Sequence, residues 1–181
     1  MKHQLAYYEY ILGEFIEFDY LQAPYECDEV FDPNIKEKFE GPFYRWMIFN
    51  PETKEVTGFI DSLKRIKEYY ESNGPYDGII GFSQGGYMVR TLMKADILGF
   101  PDLKLSPGFV ILISSAIPYW DKIKPIIEGD YSSPVLYIYG SNDPITKPFD
   151  YCICPRSDTT VIFHKKATTF LNSLTIPCLV S

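Results

Sequence analysis

The run Tyr76–Gly86, Y-D-G-I-I-G-F-S-Q-G-G, constrains the fold more tightly than any other stretch of the chain. Asp77-Gly78 opens a turn, and Ile79, Ile80 and Phe82 supply the apolar body of a short buried strand. Ser83 follows at once between Gly81 and Gly85, and Gln84–Ala95 reads as a helix with Tyr87, Met88, Leu92 and Met93 near one face. Strand, serine and helix in that order match the nucleophile elbow, G-x-S-x-G. Such a serine sits on a strained turn with its hydroxyl pushed out of the sheet. A Cβ two residues to either side would then meet neighbouring backbone, which accounts for the glycines. The helix behind it aims free N–H groups and a partial positive charge at an oxyanion forming beside Ser83. The bland alternative is a glycine-rich turn that merely contains a serine, but here strand and helix flank it as the chemistry requires.

Around this run strands and helices alternate. Gln4–Leu12 places Leu5, Tyr8, Ile11 and Leu12 at helical spacing, and Phe15–Leu21 alternates apolar and acidic residues as a strand ending before Ala23-Pro24. Tyr25–Glu55 is acidic, aromatic and interrupted by Pro33, Pro42 and Pro51, a long excursion of the kind that overhangs active sites. Val56–Glu71 returns to helix, with Phe59, Ile60, Leu63, Ile66 and Tyr70 on one stripe and Asn73-Gly74-Pro75 as its stop. Phe109–Ile113, Val135–Tyr139 and Thr160–Phe163 are strand-length runs rich in β-branched or aromatic residues. The pattern predicts an α/β fold, a mostly parallel sheet with helices on both faces. Ser83 then falls at the carboxyl end of a strand, where such sheets bind ligands.

At 181 residues, 46% hydrophobic and 17% aromatic, the chain is sized for one domain spanning residues 1–181. A net charge of -7 argues against nucleic acid as a partner. Cys27, Cys152, Cys154 and Cys178 show no disulfide-framework spacing. Cys152 and Cys154 form a lone C-x-C, and only His3 and His164 are at hand to complete a metal site. Reduced thiols, no metal, no cofactor and a cytoplasmic location are the expectation. Glu9 and Glu14 break up the apolar character of the first residues, so neither a signal peptide nor a membrane span is expected.

An elbow serine needs a base to take its proton and an acid to orient that base, in the chain order Ser, Asp or Glu, His. The run Val135–Tyr139 ends in Gly140-Ser141-Asn142-Asp143-Pro144, which puts Asp143 in a loop at the same end of the sheet as Ser83. An Asp-Pro turn also arises for local reasons alone. His3 precedes everything, so His164, after Thr160–Phe163, is the candidate base.

With these residues the chain resembles the family serine hydrolases of the FSH type, small cytoplasmic α/β-hydrolases similar to carboxylesterases. The resemblance rests on Asp19–Pro24, Tyr44-Arg45-Trp46, Gly74–Gly86, Gly140–Asp143 and Val161–His164, and covers nearly the whole chain from about residue 5. The G-F-S-Q-G-G core is also similar to that of acyl-protein thioesterases. The resemblance implies Ser83 as nucleophile, Asp143 as orienting acid and the Gln84 N–H as oxyanion donor. The substrate implied is a small-molecule ester or thioester. Two departures accompany it. The family begins with a strand ending in a His-Gly loop that donates a second oxyanion hydrogen bond, and this sequence opens inside the following helix. By family topology that strand would lie between Phe15–Leu21 and Gly78–Phe82. Those two strands are therefore expected to pair directly or to leave a gap, with no ordered strand between them. The family also carries a Gly-His pair shortly after its last strand, and Ala167 and Thr168 stand there in this chain. Threonine is no base at neutral pH, so His164 must substitute or the chain is a catalytically impaired relative acting as a binding module.

Specificity is expected from Tyr25–Glu55 and from Ser115–Ser132, where Ile117, Tyr119 and Trp120 can wall an apolar acyl pocket or pack in the core. The final Cys178-Leu179-Val180-Ser181 fits the C-a-a-X prenylation pattern, with terminal serine favouring farnesyl. Membrane contact is expected only if Cys178 is so modified, and it would be weak for want of an adjacent polybasic stretch.

Overall fold

The computed structural model describes residues 2–28, 40–115, 131–143, 159–164 and 178–180, with 2–4, 164 and 178–180 described through the backbone alone. Its strands in chain order are β1 Phe18–Tyr20, β2 Tyr25–Cys27, β3 Phe43–Arg45, β4 Ile48–Phe49, β5 Val56–Thr57, β6 Gly78–Phe82, β7 Phe109–Ile113, β8 Val135–Gly140, β9 Thr159–His164 and β10 Cys178–Val180. The α-helices among the described residues are α1 Lys2–Leu12, α2 Phe59–Asn73 and α3 Gln84–Met93. Six strands form one sheet in the order β1-β10-β6-β7-β8-β9, with β6 to β9 mutually parallel. The expected α/β architecture is therefore present.

β6 is buried at every residue, as a central strand covered on both faces must be. On one face α2 and α3 pack Leu63, Ile66, Met88 and Leu92 against Ile79, Val110, Leu112 and Tyr137. On the other, Leu5 of α1 meets Ile80 and Phe82. The Tyr20 hydroxyl also donates to Glu9 at 2.8 Å, fixing α1 to β1. Asp19, between them in sequence, accepts from the Tyr69 hydroxyl of α2 at 3.0 and 2.9 Å and from the Tyr76 hydroxyl. Burial first, and then the Asp19 carboxylate, push the Tyr76 hydroxyl well above its ordinary pKa.

The expected gap or direct pairing between β1 and β6 is overturned. β10 lies between them, antiparallel to both, with Cys178 opposite Tyr20 and Ile80 and Val180 opposite Phe18 and Gly78. The physical reason is the one that made a gap costly. Two facing rows of backbone N–H and C=O groups in mid-sheet need partners, and this segment supplies them. The segment carrying the prenylation pattern is thus a sheet strand.

The stretch read as a long excursion, Tyr25–Glu55, contains one antiparallel pair, β2 with β3, and half of a second, β4 with β5 just beyond it. Asn50 closes the second, its side-chain oxygen accepting from the N–H groups of Glu52 and Thr53 at 2.9 and 3.2 Å. Val56 and Thr57 therefore belong to a strand, and Gly58, at φ 77, turns the chain so that α2 begins at Phe59 rather than at Val56. Among the described residues no helix is long and apolar enough to cross a membrane.

Candidate active site

Ser83 stands between the last residue of β6 and the first of α3 with φ 48 and ψ -118, a conformation that non-glycine residues rarely adopt. Three contacts hold it there. Its N–H donates to Ile113 O of the neighbouring strand at 2.9 Å, and its carbonyl accepts the Tyr87 N–H of the first helical turn at 3.3 Å. Beneath it β6 and α3 touch backbone to backbone. A Cβ on Gly81 would lie 2.5 Å from Gly86 Cα, and one on Gly86 would lie 2.5 Å from Ser115 Cβ. The serine itself is half-buried, whereas α3 is buried from Gly85 to Met93.

At the end of β7 a second serine, Ser114, also has positive φ, at 45, and its N–H donates to Ile138 O at 2.9 Å. Ser115 beside it is fully buried against Gly86. The Oγ atoms of both have no hydrogen-bond partner among the described residues. Two strained residues at adjacent strand ends mark this edge of the sheet as the place where backbone energy is stored.

Asp143 follows β8 in a tight turn, its N–H donating to Gly140 O at 3.1 Å, and is buried. His164 ends β9, paired with that same Gly140. Asp143 and His164 thus sit at the carboxyl ends of adjacent strands, on the same side of the sheet as Ser83. By strand spacing, β9 lies about 14 Å from β6. The His164 side chain, Ala167, Thr168 and the Ile117–Trp120 stretch lie outside the described residues. Among the described residues no three His, Cys, Asp or Glu side chains converge where they could hold a metal ion.

A family model described as serine hydrolase (FSH1) matches residues 1–167. The chain belongs to the FSH1 serine hydrolase family. Similar proteins include a hydrolase, FUB4, of Fusarium oxysporum f. sp. lycopersici, 35% identical over 57% of this chain and 37% of its own length. Esterase OVCA2 of Bos taurus is 32% identical over 66% of this chain and 53% of its own length. Esterase GA18864 of Drosophila pseudoobscura pseudoobscura is 28% identical over 80% of this chain and 51% of its own length. The chain spans about half the length, or less, of these curated relatives. Membership accounts for the α/β fold.

One polar feature of the site was not read from the sequence. The Gln84 side chain turns away from its own helix and bonds the backbone of Trp46 and Met47. Its only sequence signal is a long polar amide at the first helical position, directly after the serine.

Proposed function

We propose that this chain is a serine hydrolase acting on small carboxylic esters or thioesters through an acyl-enzyme on Ser83. The observation that carries the reading is the backbone of Ser83, strained at φ 48 and ψ -118 between a buried strand and a buried helix. A serine so held supports reading this junction as a nucleophile elbow. Ser83 Oγ attacks the carbonyl carbon, and its proton passes to the base. The tetrahedral oxyanion takes the N–H of Gln84, which as the first residue of α3 has no intrahelical acceptor. Collapse expels the alcohol or thiol, which leaves with the proton, and water then releases the acid by the reverse sequence. Asp143 orients the base.

His164 is the base this reading assigns. Its backbone is paired in β9, about 14 Å from β6 by strand spacing, so the end of β9 must leave that pairing for the ring to reach Ser83. The same distance favours a second reading, in which the site binds esters without turning them over. Hydrolysis of p-nitrophenyl esters by the unaltered chain, Ser83→Ala, His164→Ala and Thr168→His separates the two. Activity lost in both Ser83→Ala and His164→Ala supports the enzyme with His164 as base. Activity in Thr168→His alone supports the impaired relative. Prenylation of Cys178 is a separate proposal and requires β10 to leave the sheet. An unchanged mass for the cellular protein would dispose of it.

A further inference from the structure

We infer that Gln84 is, through its side-chain amide, a positioning residue for substrate, fixing the Trp46–Met47 backbone beside Ser83 so that Met47 forms a wall for the apolar side of the ester. The inference rests on the function proposed above. It is carried by hydrogen bonds that have no part in the chemistry of the serine.

Gln84 Oε1 accepts from the Trp46 N–H at 2.6 Å and the Met47 N–H at 3.3 Å, while Nε2 donates to Met47 O at 3.2 Å. One amide thus grips two consecutive residues, using three of the four hydrogen bonds a glutamine can make. From the other side Ser62 Oγ of α2 donates to Trp46 O. The Trp46 ring is fully buried beneath. Residues 46 and 47 are therefore held between the helix that begins at Gln84 and the helix packed beside it.

The grip lies where three apolar residues in a row leave the core. Met47 is half-buried against the main core, and Ile48 and Phe49 are exposed at 39% and 47%. A partly exposed apolar residue whose backbone is bonded to the neighbour of Ser83 suits the hydrocarbon part of an ester better than a charged group. A loop held in advance loses little freedom when substrate arrives, so its tether affects binding of the group that touches it. The backbone N–H of Gln84 survives any side-chain change, which separates this role from oxyanion binding.

The test compares the unaltered chain with Gln84→Ala and Gln84→Glu. It uses p-nitrophenyl acetate, p-nitrophenyl octanoate and hydrogen exchange at the Trp46 and Met47 amides. In Gln84→Ala both amides should exchange at least about tenfold faster, and the ratio of the octanoate KM to the acetate KM should rise about tenfold. Gln84→Glu keeps both acceptor bonds and should fall between the two. Faster exchange with an unaltered octanoate KM makes the clamp purely structural and overturns the inference. A loss shared equally by both esters, leaving that ratio unaltered, also overturns it, by placing the effect on the serine. If the unaltered chain protects both amides yet hydrolyses neither ester, the proposed function fails and takes this inference with it.

Discussion

Replacing Gly81 by alanine puts a Cβ 2.5 Å from Gly86 Cα and 2.9 Å from Gly86 N. Real Cβ atoms do not approach backbone so closely, and neither partner is a side chain that can swing away. β6 and α3 must move apart, and Ser83 sits on the hinge between them. Overpacking of this kind costs about 1–3 kcal/mol, and a collision between two backbones belongs at about 3 kcal/mol. Gly99 provides the control. It has φ +88 and nothing within 4 Å of its Cβ position, so alanine there meets only the left-handed penalty. That penalty is about 1–2 kcal/mol, and the stiffer unfolded chain offsets about 0.4–1 kcal/mol in both variants alike. The two variants should differ by about 1–2 kcal/mol, or about 0.5–1 M in urea midpoint at a typical slope. Urea denaturation followed by tryptophan fluorescence reads the difference, and reaction with a fluorophosphonate reads the displacement of Ser83. Gly99→Ala should react like the unaltered chain and Gly81→Ala at least about tenfold more slowly. Equal stability and equal reactivity for the two variants would refute the close packing on which the serine's geometry depends.

Three further outcomes follow from the same coordinates. Ser83→Gly relieves a conformation costing about 1–3 kcal/mol, so it should raise the urea midpoint while abolishing fluorophosphonate labelling; a lower midpoint would deny the strain. Leu179→Pro removes a ladder donor in the middle of the sheet and should destabilise by about 3 kcal/mol in the same denaturation assay, whereas no change would mean that β10 does not fill the slot. The raised pKa of the Tyr76 hydroxyl favours its neutral form in the fold, so its contribution is complete below the ordinary value of 10 and is lost as pH climbs above it. Tyr76→Phe should therefore be the less stable protein at pH 8 yet lose less stability between pH 9 and 11, and parallel losses would contradict the linkage.

Local pattern sufficed where an element is defined by its own residues. Phe109–Ile113 and Gly78–Phe82 are apolar runs long enough to be strands, and they are strands over those same residues. The junction at Ser83 was legible for the same reason, since Gly81 and the helix start lie within five residues of it. The pairs β2–β3 and β4–β5 were not, because strands of two or three residues carry no period. What fixes them is remote, such as a glutamine 38 residues further along the chain. β10 shows the limit most plainly. Cys178-Leu179-Val180 reads as a tail, and only the unpaired edges of β1 and β6 make it a strand. For the candidate site, the positions of Ser83 and Asp143 at the carboxyl ends of β6 and β8 follow from chain order, whereas the grip of Gln84 on Trp46 and Met47 required the fold.

The most direct measurement is the site of covalent modification by a fluorophosphonate, read by intact mass and peptide mapping of the unaltered chain beside Ser83→Ala. One adduct per chain, carried by Ser83 and absent from the variant, is the predicted result. An unmodified chain, or an adduct that persists in Ser83→Ala, would contradict the account.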